Sequence, residues 1–194
     1  TTPYLVPNTN QCKGCHLSNN KMVPVGPSAR QLNRPVNLPE NKNQLQYWYE
    51  KQLLEGLPPL SDLPKAVVWD NPASGSLNDR ARAYLDANCG HCHSRHGPAN
   101  TSGLFLDVFE TNPTHLGVHK TPVAAGRGAG NLRFDIVPGE PNQSILVYRM
   151  RTNDPSVAMP EIGREQVHDE GLALIEEWIR KNTFSDSPHD SGGK

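Results

Sequence analysis

The sequence has little of most things that mark a chain's role. It holds four cysteines, three methionines and three tryptophans in 194 residues, and aromatic side chains make up 6% of it. Hydrophobic residues reach 35%, below the ordinary share of a compact domain. No run approaches the about 20 apolar residues that a membrane-spanning helix needs. Charge of one sign is also missing, since 19 basic and 20 acidic residues leave a formal net charge of -1. That balance removes the electrostatic reason to expect nucleic acid or an anionic membrane as partner. The start, TTPYLVPNTN, lacks the charged stretch and apolar core of a signal peptide. The chain therefore reads as a mature protein or as a piece cut from a longer one.

Proline (18) and glycine (16) are plentiful instead, which predicts a loop-rich chain. The length allows one large domain or two small ones. With so few apolar side chains, a large buried cofactor would supply the missing core.

The four cysteines fall into two copies of one pattern: Cys12-Lys-Gly-Cys15-His16 and Cys89-Gly-His-Cys92-His93. Three chemistries use Cys-x-x-Cys. A four-thiolate zinc site usually brings its pairs within 15–20 residues, whereas 73 residues separate Cys15 from Cys89. Zinc also gives no reason for a histidine after each pair. A redox disulfide belongs beside a βαβ pattern, which neither copy has. Covalent haem attachment requires this signature. Two thiols add to the two vinyl groups on one porphyrin edge, and the histidine one residue on lies under the iron. Eight histidines in 194 residues would follow a given pair by chance about 4% of the time, and both pairs only about 0.2%. The pattern thus predicts two haem c groups, held by Cys12, Cys15 and His16 and by Cys89, Cys92 and His93. His16 and His93 would be iron ligands.

The flanking residues predict helices. Asn8, Thr9 or Asn10 can cap a helix carrying the first pair. Leu45, Trp48, Tyr49, Gln52 and Leu53 share a face, which predicts a helix near 43–55 covering the first haem. Ser76 and Asp79 fit a capping box ahead of Leu77, Ala81, Tyr84 and Leu85, a helix that leads into Cys89. LFLDVF (104–109) reads as a short strand, and SILVYRMR (144–151) as helix or strand. Leu172, Ile175, Trp178 and Ile179 follow the helical period. Asp169 and Glu170 stand at the N-terminal end of that helix and Arg180 and Lys181 at the other, as a helix dipole favours. The polar stretch 185–194 reads as a flexible tail.

These stretches, with VGPSARQLNR, DIVPGEPNQSILVYRM and AMPEIGREQVHDEGLALIEEWI, make the chain resemble a dihaem class I cytochrome c. It is similar to a family of secreted bacterial c-type cytochrome domains of mostly unassigned function. The resemblance implies a mainly α fold with long irregular loops, built as two tandem cytochrome c-like lobes, each around one haem. The lobes would span 1–70 and 71–184, with a loop insertion at 100–158. It also implies that the carbonyl of Pro27, in Gly26-Pro27, holds the free N–H of His16. Pro98, in Gly97-Pro98, would do the same for His93. Met159, in Met-Pro-x-x-Gly before the last helix, would be the second iron's distal ligand.

The distal side of the first haem stays open. Between Pro27 and Cys89 there is no histidine, methionine or cysteine. Met22, His115, His119, His168, Tyr47, Tyr49 or Lys51 are the candidates, or the position is vacant. A six-coordinate iron passes electrons, while an open one binds and activates small molecules. The leading expectation is an electron carrier in the periplasm or secreted from a bacterium. Its partner would be a redox protein, for which the resemblance suggests a copper polysaccharide monooxygenase. The alternative is a dihaem peroxidase-like enzyme with an open first haem and His115 or a carboxylate as acid–base. A ligand-sensing haem module is a third reading.

Overall fold

The structure, a computed structural model, describes residues 4, 6–37, 41–181 and 184. It is mainly helical, with long irregular connections and one very short hairpin. The order is α1 (Thr9–His16), β1 (Leu17–Ser18), β2 (Lys21–Met22), α2 (Ala29–Leu32), α3 (Gln44–Glu50), α4 (Leu77–Leu85), α5 (Ile145–Arg151) and α6 (Asp169–Lys181). No helix among the described residues is long and apolar enough to cross a membrane.

The core lies in the second part of the chain. Ala81, Tyr84 and Leu85 of α4 meet Leu146, Val147 and Met150 of α5 and Leu172, Ile175, Trp178 and Ile179 of α6. The α6 positions recur at three and four residues, so one stripe is buried and the opposite face carries charge. Each fully buried aliphatic or aromatic side chain there contributes about 1.5–3 kcal/mol. Trp178, 1% exposed, donates its indole N–H to Asn78 Oδ1 at 3.0 Å, so its polar atom is not stranded. Before residue 70 the described residues bury one large apolar side chain, Leu45. Trp69 packs against the C-terminal cluster.

Helix starts follow the sequence. Asn8 caps α1, with its Oδ1 accepting from the N–H groups of Asn10 and Gln11, and Gln11 Oε1 accepts in return from Asn8 N–H at 2.9 Å. Ser76 and Asp79 form the reciprocal box at α4. The stretch SILVYRMR is helical.

Two expectations differ from the structure. The helix expected over 43–55 stops at Glu50, and Gln52 takes a left-handed backbone, φ 59°. That turn leaves Leu53 72% exposed, so the predicted apolar face is not continued. LFLDVF is not a strand. Its amides serve loops rather than a ladder: Phe105 N–H bonds the His115 carbonyl at 2.8 Å and Leu106 N–H the His93 carbonyl at 2.7 Å. The stretch expected as a loop insertion, 100–158, holds α5, as the helix-or-strand reading of 144–151 allowed, with two isolated parallel bridges (Val118–Ile136 and Phe134–Ser144) and part of the core. The tail expected at 185–194 lies outside the described residues.

Candidate haem-attachment site

The first motif occupies α1, which places Cys12, Cys15 and His16 in successive turns. The chain then reverses in a two-residue hairpin, pairing Leu17 with Met22 and Ser18 with Lys21. Asn19 and Asn20 sit at its corner with φ 48° and 61°, the positive values that such a tight turn demands and asparagine tolerates. The reversal brings Val23 back beside His16. His16 Nδ1 lies 2.9 Å from the Val23 carbonyl, and Val23 N–H donates to the His16 carbonyl at 2.8 Å. The imidazole is thereby fixed through Nδ1, which leaves Nε2 as the ring atom that could ligate a metal. The carbonyl that holds His16 is Val23's, four residues ahead of the Pro27 expected for it. Pro27 lines two clefts instead.

The second motif follows α4 through a π turn, Asp86–Gly90, that carries Cys89. Such turns recur at functional sites because they shift side chains out of helical register. Cys89 packs against the core cluster. The amides of Cys92 and His93 both bond the Cys89 carbonyl, at 3.1 and 2.8 Å. His93 Nδ1 lies 3.5 Å from Ser102 Oγ, and the backbone of Leu104 also hydrogen-bonds this ring. Ser102 and Leu104 thus stand where Pro98 was expected. Burial pushes the His93 pKa down, favouring the neutral imidazole that binds a metal. Gly97 is required here: a Cβ would run into the backbone carbonyls of Cys92 and His91.

Burial pushes the thiols of Cys89 and Cys92 up to about 12, with Cys15 adding to the effect at Cys92. A redox Cys-x-x-Cys works the other way, through a lowered pKa and a thiolate at neutral pH. All four cysteines are unpaired.

Around the first motif the fold is open. No residue of α1 is buried. Val6 is 77% exposed, Met22 56% and Val25 42%. Apolar side chains exposed among the described residues, with a thiol pair and an oriented imidazole on α1, fit a flat apolar ligand tethered there. The residues present therefore suit a haem.

Met159 is half-buried. Its N–H donates to the Arg149 carbonyl at 3.1 Å, and its own carbonyl accepts from Arg164 at 2.8 Å. Arg164 also donates to the carbonyls of Met150 and Thr152, so one guanidinium clamps the segment that presents Met159. After burial, the Arg149 guanidinium also pushes the His93 pKa down.

The distal candidates for the first motif are engaged elsewhere. His115 pairs with Glu110 and Arg95 at 3.2 Å each. His119 packs edge-on to Phe134, and His168 bonds Tyr84 Oη at 2.9 Å between Tyr84 and Trp69. Met22 stays exposed on the hairpin, Tyr49 is 47% exposed, and Tyr47 lies under the Lys51 ammonium.

The histidine that does approach is His91, which sequence reasoning missed because it is a spacer of the second motif. Burial, and then the proximity of His16, push its pKa down. One ring nitrogen of His91 and the sulfurs of Cys15 and Cys92 lie within 4.8 Å of one another. The Cys92 thiol donates to the Gly14 carbonyl at 3.3 Å. The two motifs thus meet. Beside them, Arg30 of α2 pairs with Asp86 of the π turn. Two clefts of about 950 and 1150 Å³ run along this boundary, and both are lined by Arg30, Asp86 and Glu110. Comparison of the chain with protein-family models, curated proteins and solved structures finds no match in any of the three.

Proposed function

We propose that the chain is a dihaem c-type cytochrome that carries electrons between redox partners outside the cytoplasm. The observation that carries this reading is that both Cys-x-x-Cys-His stretches present a histidine whose Nδ1 is already engaged, His16 by Val23 and His93 beside Ser102. Only the far nitrogen of each ring remains to bind iron. Bound there, haem would supply a reversible one-electron couple.

The chain's residues do the rest. Cys12 and Cys15, and Cys89 and Cys92, tether. Each thiol would add across a vinyl double bond, its sulfur bonding the carbon next to the ring and its hydrogen going to the outer carbon, with no net oxidation. His16 and His93 would each ligate an iron, and Met159 would be a second ligand to the iron that His93 holds. Arg164 holds the Met159 segment in place through backbone carbonyls. Methionine opposite histidine raises the potential of that haem relative to two histidines. The resemblance to secreted cytochrome domains makes a copper polysaccharide monooxygenase a candidate partner.

A peroxidase-like enzyme is the second reading. The Arg95–Glu110–His115 cluster favours it, because Arg95 and Glu110 line the smaller cleft and could work as an acid–base group there. The test is the mass and spectrum of chain matured with a cytochrome c assembly system. Two haem additions and no carbon monoxide uptake by the reduced protein are expected. Carbon monoxide binding at one haem together with peroxide turnover would favour the enzyme. Colourless chain of unmodified mass would end both readings.

A further inference from the structure

We propose that the two haems meet edge to edge at the Cys15–Cys92 junction and behave as one electronically coupled pair. The inference rests on the dihaem reading above. Cys15 and Cys92 are 77 positions apart in the chain, yet their sulfurs lie within 4.8 Å of each other. The juxtaposition is a property of the tertiary fold, and several contacts hold it. The Cys92 thiol donates to Gly14. The Asn19 amide donates to the His96 carbonyl at 3.3 Å, joining the first hairpin to the loop after the second motif. Gly14 faces Ile162 from the Met159 segment. Arg30 and Asp86 pair on the flank, and Arg30 also lies over the Phe109 ring.

The consequence follows from the chemistry of the tether. A thioether sulfur is separated from its porphyrin by a single carbon. Cys15 and Cys92 are the second cysteines of their motifs, so each marks the same edge of its own haem. With those two sulfurs within 4.8 Å, the shortest path between the two rings would run through two sulfurs, two carbons and that short gap. His91 closes a third side of the junction, and its Nδ1 is shielded from water with no partner among the described residues. The junction is partly buried, and over so short a separation charge on one haem is felt at the other. The pair therefore titrates as a unit, with two apparent potentials that belong to both haems.

The experiment uses the full matured chain. Its mass is measured first, to establish two haems. Circular dichroism across the haem Soret band then reads the coupling. A band split into adjoining positive and negative lobes is expected. The split should disappear, leaving a single-signed band, in the Cys12→Ala/Cys15→Ala double variant, which carries only the second haem. Should that variant fail to fold, the oxidised wild type suffices, since coupled irons broaden each other's electron paramagnetic resonance signals and half-reduction sharpens the one that remains. A two-haem chain with a single-signed Soret band and unbroadened signals would overturn the proposal while leaving the dihaem reading intact. A colourless chain that binds one Zn²⁺, and loses it on Cys15→Ser or His91→Ala, would overturn both and assign the junction to a metal ion.

Discussion

His16 and Val23 hold each other twice, through the ring Nδ1 on one carbonyl and the Val23 amide on the other. The pair exists because Asn19 and Asn20 turn the chain within two residues, and both adopt positive φ. A β-branched residue there costs about 1–2 kcal/mol per position. Asn19→Val/Asn20→Val should therefore release His16, lowering first-haem occupancy in the mass spectrum and letting added imidazole bind that iron. Asn20→Gly, which suits the turn, should leave both readouts unchanged.

Gly97 tests the second motif. A methyl group there meets the Cys92 and His91 carbonyls, which are backbone and cannot swing away. Gly97→Ala should yield protein carrying one haem, attached at Cys12 and Cys15, as peptide mapping would show. Full double attachment would count against the geometry described around Cys92.

Arg164 bonds three carbonyls of the segment that carries Met159, those of Met150, Thr152 and Met159 itself. Arg164→Lys keeps the charge and loses the fork. Both Arg164→Ala and Arg164→Lys should cost about 2 kcal/mol in denaturant titrations and weaken the charge-transfer band of a methionine-ligated ferric haem. Loss of that band in Met159→Ala, but not in Met22→Ala, would assign the ligand.

Trp178 is the largest side chain fully enclosed in the core. Trp178→Ala should destabilise by about 3–5 kcal/mol, seen as a fall in the thermal midpoint of the helical signal. Asn78→Ala strands the indole N–H and should cost about 1–3 kcal/mol.

Tyr84 gives the alkaline limit of stability. Burial, and then Cys89, raise its pKa to about 12. In the unfolded chain a tyrosine ionises near pH 10, so above that pH the unfolded state gives up a proton that the folded state keeps. The contribution is intact below about pH 10 and is lost progressively as pH rises to about 12, by about 2–3 kcal/mol in all. Tyr84→Phe should flatten this slope, at a cost of about 1 kcal/mol at neutral pH for the bond to His168.

The parts of this fold that are legible in the sequence are those fixed within about a dozen residues. The caps at Asn8 and Ser76, the α6 stripe and the two cysteine patterns are local signals, and each element stands where its signal lies. The hairpin at 17–22 escaped because two residues per strand leave no alternation to read; the pair Asn19-Asn20 was the available signal. LFLDVF looked like a strand because its composition is strand-like, but its partners are single loop carbonyls. His91 and the Cys15–Cys92 contact escaped for a different reason. They depend on the packing of segments far apart in sequence, which no periodicity records.

The uneven placing of buried side chains bears on how such a protein would be policed in the cell. Helices α4, α5 and α6 close on themselves, whereas α1 encloses nothing of its own. A chain that left assembly with its second haem but without its first would keep a sound packed core around α4–α6 and a loosely packed α1. Proteases that sample poorly packed segments would cut it within α1, so defective copies would be removed while finished ones survive.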